Sequence, residues 1–337
     1  MKKLTDLEIK VLNRIQKDWE ITPAPFLKLS EELNISENEL INTIKKLKDE
    51  NIIRDISAIF NAGSLGYDSS LIAFKVREKN IDTAASVINA NPGVSHNYLR
   101  DHTYNIWFTL AVSPDTSLKE EIETIAEESK ADDFLIFRNE KLLKIGLILD
   151  LDGNGNPDSD KINSNSGKQG NYKPLSDEEK KAVYILQTDI PLVTRPFREL
   201  IEKSGLDIQE NRLVELWKKF KEDKMIRRYS AILKHSKAGF SHNAMTAWKL
   251  NKNDDADKIK IFSSQRAISH LYIRTIYPGK WEHGLFAMIH ARSGEELESI
   301  IKKLEKESGI KDYLVLHSIK EFKKQRVKYF SGIAEPA

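Results

Sequence analysis

The chain carries one pattern twice. Leu4-Thr5-Asp6-x-Glu8 returns as Leu175-Ser176-Asp177-x-Glu179, and Pro25-Phe26 returns as Pro196-Phe197. Ile53-Arg54-Asp55-Ile56-Ser57-Ala58-Ile59 returns as Ile226-Arg227-Arg228-Tyr229-Ser230-Ala231-Ile232, and Gly66-Tyr67 as Gly239-Phe240. Ser-His-x-Tyr-x-Arg stands at residues 95–100 and again at 269–274. Self-similarity over so long a period means two copies of one structural unit, not a stack of short repeats. A length of 337 residues accommodates two such multi-part units.

The first copy shows what the unit is. Leu4, Leu7, Val11, Leu12 and Ile15 form one helical stripe, with Thr5 or Asp6 able to cap it. A short helix follows over 26–33. Ser36 opens a third helix with Glu39 three residues on, a capping-box spacing. Residues 51–60 then read as a strand. Three short helices and a strand outline a winged helix-turn-helix. Beyond it the periodicities predict a strand over 69–77, a helix over 81–90, a hairpin of the His96 stretch with 105–113, a helix over 116–129 and strands over 132–149. That order, βαββαβ, is a ferredoxin-like module. The expected fold is α+β: winged helix-turn-helix over 1–62 and 174–236, ferredoxin-like domains over 63–150 and 237–330, with a flexible linker at 151–173. A fused pair of this kind is a covalent pseudo-dimer, the linker holding the copies at high effective concentration. Further self-association is left open.

The linker is rich in Asp, Asn, Gly and Ser. Its start, Asp150-x-Asp152-x-Asn154-Gly155-x-x-Asp158, matches much of a calcium loop. The twelfth position is Lys161 where that loop needs a bidentate Glu, and a strand precedes it where a helix belongs. A plain linker is the better reading. The chain has no Cys, which excludes disulfides, thiolate catalysis and Cys-bound zinc or iron–sulfur centres. No His pair has zinc spacing and no Gly-rich nucleotide loop is present. The charged N-terminus lacks the apolar core of a signal peptide, and no apolar run approaches the roughly 20 residues of a membrane span. A cytoplasmic protein is expected.

Charge is uneven. Residues 1–150 hold 19 Lys/Arg against 25 Asp/Glu, and residues 171–337 hold 32 against 23. The second half is the better home for an anionic ligand. DNA is a poor candidate for it. The turn that would meet phosphates is Ser36-Glu37-Asn38-Glu39 in one copy and Asp207-Ile208-Gln209-Glu210 in the other, two acids each.

The repeated Ser-His-x-Tyr-x-Arg is the candidate site. On a strand, alternate residues share a face, so His96, Tyr98 and Arg100 line one side, as do His270, Tyr272 and Arg274. In the second copy the intervening Leu271 and Ile273 would pack on helices and leave the polar face free. A polar face hydrogen-bonded at an interface is the structural alternative; its occurrence twice, beside aromatics, favours a site. Guanidinium and imidazole bind carboxylates through charge-assisted hydrogen bonds, and aromatic rings stack on flat ligands. A planar, multiply carboxylated macrocycle fits both.

At these residues the chain resembles a known family. Asn97-Tyr98-Leu99-Arg100-Asp101-His102-x-Tyr104-Asn105-x-Trp107-Phe108-Thr109 looks like one subunit type of siroheme decarboxylase. Arg228-Tyr229-Ser230-Ala231-Ile232-Leu233-Lys234-His235-x-Lys237-Ala238-Gly239-Phe240, with Tyr272-x-Arg274-x-x-Tyr277-Pro278 and Phe286-x-Met288-Ile289-His290, looks like its partner. These are AsnC/Lrp-like proteins. The resemblance covers nearly the whole chain outside the linker. It departs at Gly284, where Asn is expected, and at His283, where another aromatic is expected.

The resemblance implies loss of carbon dioxide from the C12 and C18 acetates of siroheme, giving didecarboxysiroheme for an alternative heme route. It implies no external cofactor, since the iron arrives with the substrate. It makes His270, Tyr272, Arg274 and His283 the expected catalytic set. Arg274 would anchor a carboxylate, and His270 or His283 would protonate the new methyl carbon. Arg228, Trp248, Tyr277 and Trp281 are expected substrate contacts, with His235 or His242 facing iron or carboxylates. His96, Tyr98, Arg100 and His102 either complete the same pocket or form a second one. The rival readings are a DNA-binding regulator responding to heme or amino acids, and a tetrapyrrole carrier without turnover.

Overall fold

The structure, a computed structural model, describes residues 4–145, 173–233, 242–251 and 256–333. His235, the calcium-like run and nearly all of the linker lie outside the described residues.

In the first copy, α1 (Asp6–Ile15), α2 (Pro25–Leu33) and α3 (Glu37–Asp49) lead into β1 (Ile53–Phe60). Thr5 is the residue that caps α1. Its hydroxyl accepts the Glu8 N–H at 3.2 Å, and the Glu8 carboxylate accepts the Thr5 N–H at 2.8 Å. Two amides that a helix start leaves open are thereby satisfied. Pro25 starts α2, where no N–H is needed, and Asn34 ends it in the left-handed region at φ 53°. Ser36 caps α3 at 3.2 Å, but Glu39 returns no bond, so that capping box is half formed.

Then come β2 (Asp68–Lys75), α4 (Ile81–Ala90), β3 (Val94–Arg100), β4 (Ile106–Val112), α5 (Leu118–Glu128), β5 (Asp133–Phe137) and β6 (Asn139–Ile145). The second copy repeats the plan with α6 (Asp177–Leu186), α7 (Pro196–Ser204), α8 (Glu210–Glu222) and β7 (Ile226–Leu233). It continues as β8 (His242–Trp248), α9 (Ala256–Ser264), β9 (Ile268–Arg274), β10 (Leu285–Ala291), α10 (Gly294–Ser308) and β11 (Tyr313–Lys324). Ser176 and Glu179 rebuild the capping box of α1 at α6.

The copies join in two places. The wing strands β1 and β7 pair antiparallel, Ser57 opposite Ser230, and one apolar core runs through both helical domains, from Val11 and Phe26 to Phe220 and Tyr229. The ferredoxin-like halves share one nine-stranded sheet, β5-β2-β4-β3-β11-β8-β10-β9-β6. Residues 313–317 of β11 pair with β8 of their own copy, and residues 318–324 pair with β3 of the other. In mirror fashion β5 pairs with β2 and β6 with β9. Only Arg138 separates β5 from β6, the two ends of the strand order, so the sheet wraps back on itself. Such closure leaves little unpaired edge.

Helices α4 and α5 cover the outer face of one half around Phe74 and Phe108. Helices α9 and α10 cover the other around Trp248, Phe262 and Leu304. Between the two inner faces lies a third core, built from both copies: Trp107, Leu135, Phe137, Met245, Trp281, Phe286 and Leu316. After β11 the chain turns back over the winged domains. Gln325 N–H donates to Ser95 O at 2.7 Å, and the rings of Tyr329 and Phe330 pack edge-on to Tyr67.

Candidate active site

The period of two sorts the residues of β3 and β9 as the pleat requires. Leu99 packs with the core under α4 and α5, and Leu271 and Ile273 with the core under α9 and α10. His96, Tyr98 and Arg100 then face inward, as do His270, Tyr272 and Arg274. The face expected to be free is partly covered: Arg100 is only 5% exposed, and the other five side chains are half-buried. In each row the imidazole lies nearly parallel to the tyrosine ring, centroids 6.3 Å apart. The guanidinium lies over the same ring, at 5.2 Å for Arg100 and 4.5 Å for Arg274, a favourable cation–π placement.

Both arginines reach the other copy's last strand where it crosses over. Arg100 Nη1 donates to Leu316 O at 2.8 Å, and Arg274 Nη1 donates to Phe137 O at 2.9 Å. Burial lowers both guanidinium pKa values to about 10 and raises those of Tyr98 and Tyr272. At neutral pH each row therefore offers a cation and an un-ionised phenol. The Nε of each arginine is buried without a partner among the described residues.

The rows differ in what stands against them. Tyr98 lies opposite Glu321 of β11, and its hydroxyl donates to that carboxylate at 3.2 Å. His96 lies opposite Lys324. Burial, then the Lys324 and Arg54 charges, hold the His96 pKa down at about 4. Arg54 is itself bound to Asp55 at 2.9 Å, and Arg326 from the C-terminal segment binds Asp55 at 3.1 Å. The first row is thus faced by the chain's own charged groups, paired among themselves.

In the second row, Tyr272 lies opposite Leu142 of β6. Where the first copy has Asp55, the second has Arg228. The charges acting on Tyr272 are both cationic, Arg274 and Arg227.

The other predicted residues fall elsewhere. Trp281 sits in the inter-copy core, 3% exposed, with ring centroids 5.3 Å from Trp107 and 5.2 Å from Phe137. Tyr277 acts as a surrogate strand edge: its hydroxyl donates to Ile136 O at 2.7 Å and accepts the Ile136 N–H at 3.1 Å. Lys280 adds an ion pair to Asp133 at 2.7 Å. The long second hairpin is therefore a clamp between copies.

His283 lies beyond this clamp, its Nε2 2.9 Å from Asp312. His102 stands close by, edge-on to Trp281 at 5.2 Å, with its Nδ1 accepting the Tyr104 N–H at 3.0 Å. Its pKa is lowered, chiefly by burial. Trp248 points the other way, into the core under α10, stacked on Tyr313 at 4.3 Å. His242 shares that helix-side face by strand alternation and lines a groove of about 510 Å³ with Leu297, Tyr313 and His317. Arg228 lies on the wing strand β7, opposite Ile59. Sequence reading missed Arg54 and Arg227, although the repeated Ile-Arg pair signalled them, and missed Glu321 because register is invisible before strands are paired.

The would-be recognition helices are tied down. Arg212 binds Glu178 and Glu215, Lys219 binds Glu179, and Lys221 binds Asp18. In α3, Lys46 binds Glu8 at 2.6 Å and Lys48 binds Asp189 at 2.7 Å. The wings, which would otherwise reach outward, pair with each other.

A model of the AsnC-like ligand binding domain matches residues 64–144 and again 237–323. A model of the siroheme decarboxylase NirDL-like HTH domain matches residues 8–54 and 179–227. The siroheme decarboxylase beta subunit of Oleidesulfovibrio alaskensis is 38% identical over 157 residues, 98% of that protein but 46% of this chain, as a fused pair requires. The crystal structure of the siroheme decarboxylase NirDL in co-complex with an iron-uroporphyrin III analogue superposes with a TM-score of 0.77 at 35% identity, covering 98% of this chain and 96% of that one. The siroheme decarboxylase of Hydrogenobacter thermophilus is 39% identical over 323 residues, 96% of this chain and 94% of that protein. With both copies matched and a relative this similar along nearly its whole length, the chain belongs to the siroheme decarboxylase family.

Proposed function

We propose that this chain removes the carboxyl groups of the C12 and C18 acetate side chains of siroheme, yielding didecarboxysiroheme. In each step the carbon–carboxylate bond breaks, its electron pair passes into the macrocycle, carbon dioxide leaves, and one proton converts the remaining methylene to methyl. The iron enters with the substrate. The chain's own residues bind the carboxylates, exclude water and hold the proton.

The observation that carries this reading is the second inward row, His270, Tyr272 and Arg274. It is half-buried, faced by apolar Leu142, and its Tyr272 feels the charges of Arg274 and Arg227. In this reading Arg274 Nε and the Tyr272 hydroxyl hold a peripheral carboxylate. Charge-assisted bonds are strongest away from water. His270, beside Tyr272, is the general acid. The first row, with Glu321 already on Tyr98, closes the inter-copy structure and is not a second centre of turnover.

The test is carbon dioxide release from siroheme, measured anaerobically, for His270→Ala, Arg274→Ala and His96→Ala. The proposal requires losses of about 100-fold or more for the first two, the size of a removed general acid or anchoring charge, with a far smaller effect of His96→Ala. Wild-type rates in both second-row variants overturn it.

A further inference from the structure

One contact separates the two rows beyond their facing strands. Ser269 is 1% exposed. Its hydroxyl lies 2.8 Å from His270 Nδ1 and 2.7 Å from His290 Nε2. The first copy has the same serine on the same imidazole, Ser95 Oγ to His96 Nδ1 at 3.0 Å. It lacks the third member, since the strand position matching His290 is Ala111. The local backbone explains the geometry. Pairing of β9 with β10 runs in register from Leu285 to Met288, which faces His270, then shifts before Ile289. His290 N–H donates to Ala267 O at 2.9 Å. That irregularity leaves Ser269 out of the paired register, as the matching one leaves Ser95 in the first copy, so the difference between the copies is His290 in place of Ala111. A merely packed serine needs one partner; this hydroxyl has two titratable ones.

We propose that Ser269 and His290 form a proton relay that supplies His270, making both positioning residues for the decarboxylation. This rests on His270 as the acid. Before reaction, His270 is neutral with its proton on Nε2, and His290 is an imidazolium. When carbon dioxide leaves, His270 Nε2 gives its proton to the methylene carbanion, forming the new C–H bond. His270 Nδ1 takes the Ser269 hydroxyl proton, and Ser269 takes the Nε2 proton of His290. The result is a methyl group, a serine hydroxyl and two neutral imidazoles. After product shifts, one solvent proton binds His270 Nε2, and the Nδ1 proton returns through Ser269 to His290. One proton is consumed per carboxylate lost, so one solvent proton refills the store between the first loss and the second.

The experiment is single-turnover decarboxylation with siroheme in the full chain, alongside siroheme binding followed by absorbance. Expected for Ser269→Ala and His290→Gln is unchanged affinity with a rate at least about 10-fold slower, the low end of general-acid effects. Ser269→Thr restores the rate, and added imidazole rescues His290→Ala. The solvent deuterium effect, from several protons in flight in the wild type, falls toward a single-proton value in Ser269→Ala. Wild-type rates in Ser269→Ala with an inactive His270→Ala overturn the relay and leave the acid standing. Equal losses of affinity and rate, without rescue, show a purely structural contact and also overturn it. Full activity in His270→Ala instead removes the reading beneath it. If His290→Gln fails to fold, Ser269→Ala, which removes only an oxygen, decides.

Discussion

Trp281→Ala tests whether the long second hairpin is a clamp or a wall of the substrate site. The indole is 3% exposed and stands in a ring of aromatics, Trp107, Phe137 and Phe286, at centroid distances of 5.3, 5.2 and 6.0 Å. Its Nε1 donates to His283 O at 2.8 Å. Truncating a buried Trp to Ala costs about 3–5 kcal/mol, and aromatic pairs sit toward the upper part of such ranges. Loss of the hydrogen bond strands a partly covered carbonyl, roughly another 1 kcal/mol where water cannot reach it. We expect about 5 kcal/mol in all, a large share of a stability that is typically about 5–15 kcal/mol. Urea unfolding followed by circular dichroism reads it as a lowered midpoint. In mild urea the two ferredoxin-like halves should separate before the winged domains melt, because the lost contacts are the ones between copies. Siroheme affinity at zero urea should hold within a few-fold. A loss under about 1 kcal/mol combined with abolished siroheme binding refutes the clamp and returns Trp281 to the substrate.

His96 gives a pH prediction. It accepts its proton near pH 4 in the folded chain, against an ordinary value of 6.5. The unfolded chain therefore binds that proton first as pH falls. Stability from the neutral imidazole is fully present above about pH 6.5 and is lost as pH drops toward 4, by at most about 3 kcal/mol. In His96→Gln the urea midpoint should fall less steeply over that window; an unchanged slope refutes the assignment. For DNA, mobility shifts at about 150 mM salt should show no sequence-specific retention with or without a tetrapyrrole, because Arg212 and Lys219 of α8 are engaged by Glu178, Glu215 and Glu179. A salt-sensitive specific complex would contradict this.

Much of this was legible in the residues. The repeat gave two copies, and capping residues and apolar stripes gave the helices, because those signals are local. The alternation of Leu271 and Ile273 with His270, Tyr272 and Arg274 fixed which side chains share a face. What covers that face was not legible. It depends on strands exchanged between copies, β11 onto β3 and β6 onto β9, which pair residues more than a hundred positions apart. For the same reason Trp248 read as a ligand contact and is core: nothing local tells which side of β8 meets α10. The Ser269–His290 contact needs a register shift between two strands, and no spacing in the sequence announces one.

The most direct test of the central claim uses the chain alone. Purified protein is incubated anaerobically with siroheme, and the pigment is followed by mass. The account predicts two successive losses of carbon dioxide, through a mono-decarboxylated intermediate to didecarboxysiroheme, with no added cofactor. Siroheme that binds the protein and is recovered at unchanged mass would contradict it.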